Sequence, residues 1–122
     1  MVSEASGVRQ GDIWLADLGE PIGSVAGYVR PVVIMQGDMV NASRLQSYLS
    51  IPMTGNLRHA SIPTNFLLSA RQTGLDRDSV AQPTLLLAVD ESQLIARLGE
   101  INARLMRQLF ACLDIVFGRT SR

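Results

Sequence analysis

Apolar residues in this chain come in short bursts between glycines, prolines and polar turns, and only once in a helical rhythm. "GDIWLADLG" at 11–19, "VRPVVIMQ" at 29–36 and "QSYLSIPMT" at 46–54 are brief apolar runs bounded by turn formers, and each predicts a strand. "TNFLLSA" predicts another. "SVAQPTLLLAV" at 79–89 predicts a strand broken near Pro83, with Leu85–Leu87 reading as a buried strand, and "RLGEI" at 97–101 predicts a last short one. The connections are also legible. "EPIGSVAGY" is a flexible loop of the length that often carries function. "GDMVNASRL" predicts a turn with one helical turn, "GNLRHASIP" at 55–63 a polar loop, "RQTGLDRD" a turn, and "DESQL" at 90–94 a turn capped by Asp90.

The helical rhythm belongs to 103–117. Leu105, Leu109, Cys112, Leu113 and Val116 recur at three- and four-residue steps, behind Asn102 as N-cap and ahead of Gly118 as stop. Five or six short strands and one terminal helix predict a strongly curved sheet or small barrel with a helix packed on it. The fold class is therefore mainly β with α.

Composition narrows the partners. A chain of 122 residues is most simply one domain. Its 11 basic residues are all arginine and are cancelled by 11 acidic ones, so polyanion binding requires a local patch. The single cysteine, Cys112, excludes an intramolecular disulfide and reads as a small core side chain. No apolar stretch approaches the roughly 18 residues of a membrane span. A soluble, cytoplasmic protein is expected.

Chemistry is sparse. One histidine and one cysteine offer no metal-ligand spacing, and no phosphate-binding glycine fingerprint is present. His59 lies in a polar loop, without a nucleophile elbow. Asp76 and Asp78 read as turn formers with Arg77 between them in water. What remains is Arg30 at the start of one predicted strand and Thr54 at the end of another. If those strands are antiparallel neighbours, the two meet at one sheet edge, where a guanidinium beside a hydroxyl suits a phosphate.

At these residues the chain resembles a known family. "RQGDIWLADLGEPIGSVAGYVRPVVIMQGDMVNA", then "SIPMTG", then "GLDRDSVA" are similar in order and spacing to MazF/PemK toxin endoribonucleases, over about residues 9–118. The resemblance implies a small SH3-like barrel of the CcdB/PemK type with a C-terminal helix, preceded by a flexible arm at 1–8 and followed by a tail at 119–122. It implies a homodimer that cuts single-stranded RNA at short motifs without metal or cofactor, leaving a 2′,3′-cyclic phosphate and a 5′-hydroxyl. It also implies a cognate antitoxin whose disordered C-terminal segment lies across the dimer.

Residue by residue, the family's catalytic arginine and threonine match Arg30 and Thr54. Its RNA-contacting serine matches Ser79. Gly27, Tyr28, Arg58 and His59 fall in loops that the family uses around its RNA channel. The chain departs from the pattern where acidic residues are usual, with Val25 in the first loop and Thr84 after the "DSVA" segment. Glu20 is left as a candidate general base. Two other readings follow from the same resemblance: an inactive member repurposed for binding, and a gyrase poison of the CcdB type, whose C-terminal aromatic signature "VFGRTSR" lacks.

Overall fold

A computed structural model of the chain describes residues 7–120. The elements run β1 (Asp12–Asp17), β2 (Val29–Ile34), α1 (Asp38–Asn41), β3 (Ser47–Thr54), a 3-10 turn (Leu57–Ser61), β4 (Phe66–Leu68) and α2 (Ala70–Thr73). They continue through β5 (Ser79–Ala81), a 3-10 turn (Pro83–Leu85), β6 (Leu87–Asp90), a 3-10 turn (Glu91–Gln93), β7 (Leu94–Glu100) and α3 (Ala103–Val116). Seven strands form one antiparallel sheet in the order β4-β5-β3-β2-β1-β7, with β6 also pairing β3. β4 and β7 are the two ends of that order, so the ladder is left open between them.

The central strands bury both faces, so their side chains alternate between two cores. Ile13, Val33, Ile51 and Met53 pack beneath Leu105 and Leu109 of α3. Trp14, Ala16, Val32, Ile34 and Tyr48 fill the other face with Val8, Val89 and Leu94. This double burial is why "PVVIM" reads as a continuous apolar run. The helix starts where expected: Asn102 Oδ1 accepts the Leu105 N–H at 2.9 Å. Each fully buried leucine of its stripe stabilises the fold by about 2 kcal/mol. Cys112 is half-buried on that helix, and burial pushes its thiol above the ordinary value, in keeping with an inert packing role.

Several expectations need correction. The strand expected at 97–101 is longer, Leu94–Glu100, and pairs with β1 through two register shifts. Ile95 and Leu98 stay exposed, so this edge strand shows no apolar alternation to read. Leu85–Leu87 is not a buried strand. Pro83 at the first turn position starts a 3-10 turn, Leu85, Leu86 and Leu87 are only half-buried, and the strand resumes at Leu87. The segment 70–78 contains α2, held by a Ser69–Gln72 capping box and stopped by Gly74 at φ +84°. Asp90 caps its turn as expected, with Gln93 completing the box. The expected arm at 1–8 falls mostly outside the described residues, but Val8 is buried against the second core. Of the expected tail, Arg119 is tied to Asp114 at 2.9 Å, and residues 121–122 lie outside the described residues.

Candidate active site

β2 and β3 are antiparallel neighbours, pairing Ile34 with Ser50, Val33 with Ile51 and Val32 with Pro52. Extending that register by two residues sets Arg30 opposite Thr54, but the pairing stops at Val32–Pro52. Pro31 and Pro52 lie at this end, one on each strand, and neither has an N–H to give. Pro31 is the third residue of a strand flanked on both sides, at the point where the ladder to β3 has ended. A cavity of about 430 Å³ opens there, lined by Arg30, Thr54, Gly55, Asp76, Arg77 and Ser79 among others.

The loop before β2 aims the arginine. Arg30 Nε donates to the Gly27 carbonyl at 3.0 Å. Gly27 is buried against Pro21, so closely that a Cβ there would collide with the proline backbone. Tyr28 follows at φ +60°, a costly conformation for a bulky residue. Its N–H donates to the Gly19 carbonyl, and its own carbonyl accepts the Leu18 N–H at 2.9 Å. The base of this loop is thus tightly closed. One guanidinium donor is used for orientation, and four remain for an anion. Among the described residues no carboxylate is paired with Arg30.

Thr54 ends β3. Its Oγ1 accepts the Asn56 N–H at 3.2 Å, which leaves the hydroxyl proton free to point elsewhere. Asn56 Oδ1 in turn accepts the Arg58 N–H and starts the 3-10 turn that follows. On the other flank of β3 is β5, whose first residue, Ser79, is nearly buried and faces the cavity.

The remaining candidates lie outside this cavity. Arg58 is exposed on the Leu57–Ser61 turn. His59 is half-buried, with Nδ1 3.3 Å from Gln82 Nε2 and its carbonyl accepting from Asn65 Nδ2 at 3.0 Å, so it ties its loop to the segment after β5. Gly27 is buried and positions Arg30, while Tyr28 is exposed at the loop mouth. Glu20 is exposed on the same loop and does not line the cavity. Among the described residues no three His, Cys, Asp or Glu side chains group as metal ligands would. No described helix is long and apolar enough to cross a membrane.

Two lining residues escaped the sequence reading. Asp78 does shape its turn, with Oδ1 accepting the Ala70 N–H at 2.8 Å. Asp76 and Arg77 are exposed on the turn, as expected, but both also line the cavity, and an Arg77 Nη lies 4.0 Å from the Cβ position of Gly55. Arginines therefore approach the end of β3 from both sides. The only local hint is "LDRD" immediately ahead of Ser79; the fold decides which of its charges border the cavity.

A model of PemK-like, MazF-like toxins of type II toxin–antitoxin systems matches residues 9–117. The chain belongs to this toxin family. Endoribonuclease MazF6 of Mycobacterium tuberculosis is 38% identical over 102 residues, covering 84% of this chain and 90% of the relative. Endoribonuclease EndoA of Bacillus subtilis is 29% identical over 108 residues, 88% of this chain and 92% of EndoA. In fold the chain is similar to an "Endoribonuclease in complex with its cognate antitoxin from Mycobacterial species", with a TM-score of 0.75 at 17% identity, covering 95% of this chain and 100% of that one. It is also similar to the Mycobacterium tuberculosis toxin MazF-mt6, with a TM-score of 0.72 at 21% identity over 88% and 96% of the two chains. The PemK/MazF fold is thus present along nearly the whole chain, with its loop, strand-end and "DSVA" segments gathered at one cavity.

Proposed function

We propose that this toxin is an endoribonuclease that cleaves single-stranded RNA at short motifs by attack of the ribose 2′-hydroxyl on its own phosphate. The observation that carries the reading is Arg30, oriented through Nε by Gly27 and aimed with its remaining donors at a cavity that Thr54 shares. The curated relatives' names, endoribonucleases MazF6 and EndoA, support it.

Negative charge accumulates on the phosphorus oxygens as the 2′-oxygen attacks. A guanidinium fixed before the substrate arrives stabilises that charge without reorganising, and offers two parallel bonds to it. Thr54 adds a hydroxyl donor from the facing strand, and Arg77 adds charge from the β5 side. Loss of one such donor typically costs on the order of 3 kcal/mol in the transition state. The departing 5′-oxygen leaves as a hydroxyl, and the other product is a 2′,3′-cyclic phosphate. None of these roles needs a metal.

Dimerisation, control by a cognate antitoxin and a cytoplasmic site of action belong to the same proposal. Ile95 on β7 and Phe110 and Phe117 at the C-terminal helix are exposed, as suits a surface that a second copy covers. The structure of a mycobacterial endoribonuclease with its antitoxin supports the antitoxin.

The test is cleavage of a long mixed-sequence RNA in EDTA by wild type and Arg30→Ala. Discrete cuts with cyclic-phosphate ends are expected from the wild type and none from the variant. A folded wild type that leaves the RNA intact would overturn the enzyme and favour a binding protein.

A further inference from the structure

We propose that Asp76 is the general base of this cleavage, taking the proton of the attacking 2′-hydroxyl; the inference rests on the ribonuclease reading above. The charged side chains lining the cavity are Arg30, Arg77 and Asp76, and its hydroxyls are those of Thr54 and Ser79. A guanidinium has donors and no acceptor, and the hydroxyls are donors to a phosphate. Proton removal falls to the one carboxylate. Asp78 is engaged by the Ala70 N–H, and Glu20 lies off the cavity. Asp76 has no hydrogen-bond or ion-pair partner among the described residues, so both its oxygens are available to substrate.

Asp76 itself is exposed, on a turn whose preceding residues are closely packed. The Leu75 N–H donates to Thr73 Oγ1 at 3.0 Å, and Gly74 takes a left-handed turn. Gly99 of β7 lies so near that any Cβ there would run into the Thr73 carbonyl oxygen. The sheet order β5-β3-β2 then sets a phosphate held over Thr54 between Arg30 on one flank and the Asp76–Arg77 turn on the other.

In the step, the 2′-O–H bond breaks and its proton passes to the Asp76 carboxylate while the 2′-oxygen bonds to phosphorus. The bond from phosphorus to the 5′-oxygen breaks, and that oxygen takes a proton from solvent. Asp76 then returns its proton to water.

Initial rates on mixed-sequence single-stranded RNA in EDTA, from about pH 4 to about pH 8, decide it. The charged groups that share the cavity with Asp76 are Arg77 on its own turn and Arg30 on β2, and a base that acts as its carboxylate gives the rate an acid limb that the Asn variant must lose. Asp76→Asn is expected to lower kcat on the order of a hundredfold, abolish the acid limb and leave the cut sites unchanged, while Asp76→Glu recovers part of the rate. An Asn variant with wild-type rate and limb, beside a dead Arg30→Ala, overturns the base and leaves the ribonuclease standing. Altered cut sites at full rate overturn it too, since Asp76 would then read a nucleobase. An inactive wild type sinks both readings.

Discussion

Arg30 on β2 and Arg97 on β7 flank the same strand, opposite Ala16 and Trp14 of β1, and are held in opposite ways. Arg97 donates through Nε to Asp12 at 3.1 Å and through Nη2 to Glu100 at 2.9 Å. Asp12 is nearly buried, and its other oxygen accepts from the Arg9 N–H at 2.9 Å and the Trp14 indole at 3.3 Å. That cluster closes on itself and pins an edge strand. Arg30 has one bond, to a carbonyl, and faces open space. A guanidinium whose charge is neutralised within the fold serves stability; one oriented but left uncompensated is poised for an external anion.

The largest effect should come from Arg30→Ala. Cleavage should fall by about 3 kcal/mol or more of transition-state stabilisation, roughly a hundredfold to a thousandfold, with the melting temperature unchanged or slightly raised. Parallel rate and melting measurements separate the two effects, and a large drop in melting temperature would dissolve the contrast. Arg97→Met should do the reverse. Leaving Asp12 without its cation costs about 2 kcal/mol of stability, below the full range for a buried pair because Arg97 is half-exposed. Rate per folded molecule should hold, as urea titration paired with active-site counting would reveal.

Gly27→Ala tests the aiming device itself. Its Cβ must push Pro21 aside, displacing the carbonyl that holds Arg30. A loss on the order of tenfold in rate is expected, with a circular dichroism spectrum like the wild type's. The smallest effect concerns Asp38. The Gln10 N–H, at 2.7 Å, holds its carboxyl below the ordinary 3.8, with Asn41 and Arg9 contributing. The folded value is depressed, so its stabilisation is full above about pH 3.8 and is lost as pH falls through the folded value. Asp38→Asn should therefore lower stability slightly near neutrality, and its melting curve should converge with the wild type's in acid.

How legible the chain was follows the same division. β1, β2 and β3 announce themselves because both faces are buried, and their apolar runs carried the prediction that Arg30 and Thr54 meet at one edge. Asn102 and Asp90 were readable because a cap is a local device. β7 was half-missed because Ile95 and Leu98 face outward on an edge. Asp76 and Arg77 are exposed turn residues, and what sets their turn beside the cavity, Thr73 against Gly99, joins segments far apart in sequence.

The place where the β2–β3 pairing stops has a kinetic consequence. On the function proposed above, a phosphate that reaches Arg30 and Thr54 breaks no β2–β3 pair, because that pairing ends at Val32–Pro52. Association is then limited by encounter and not by an opening step.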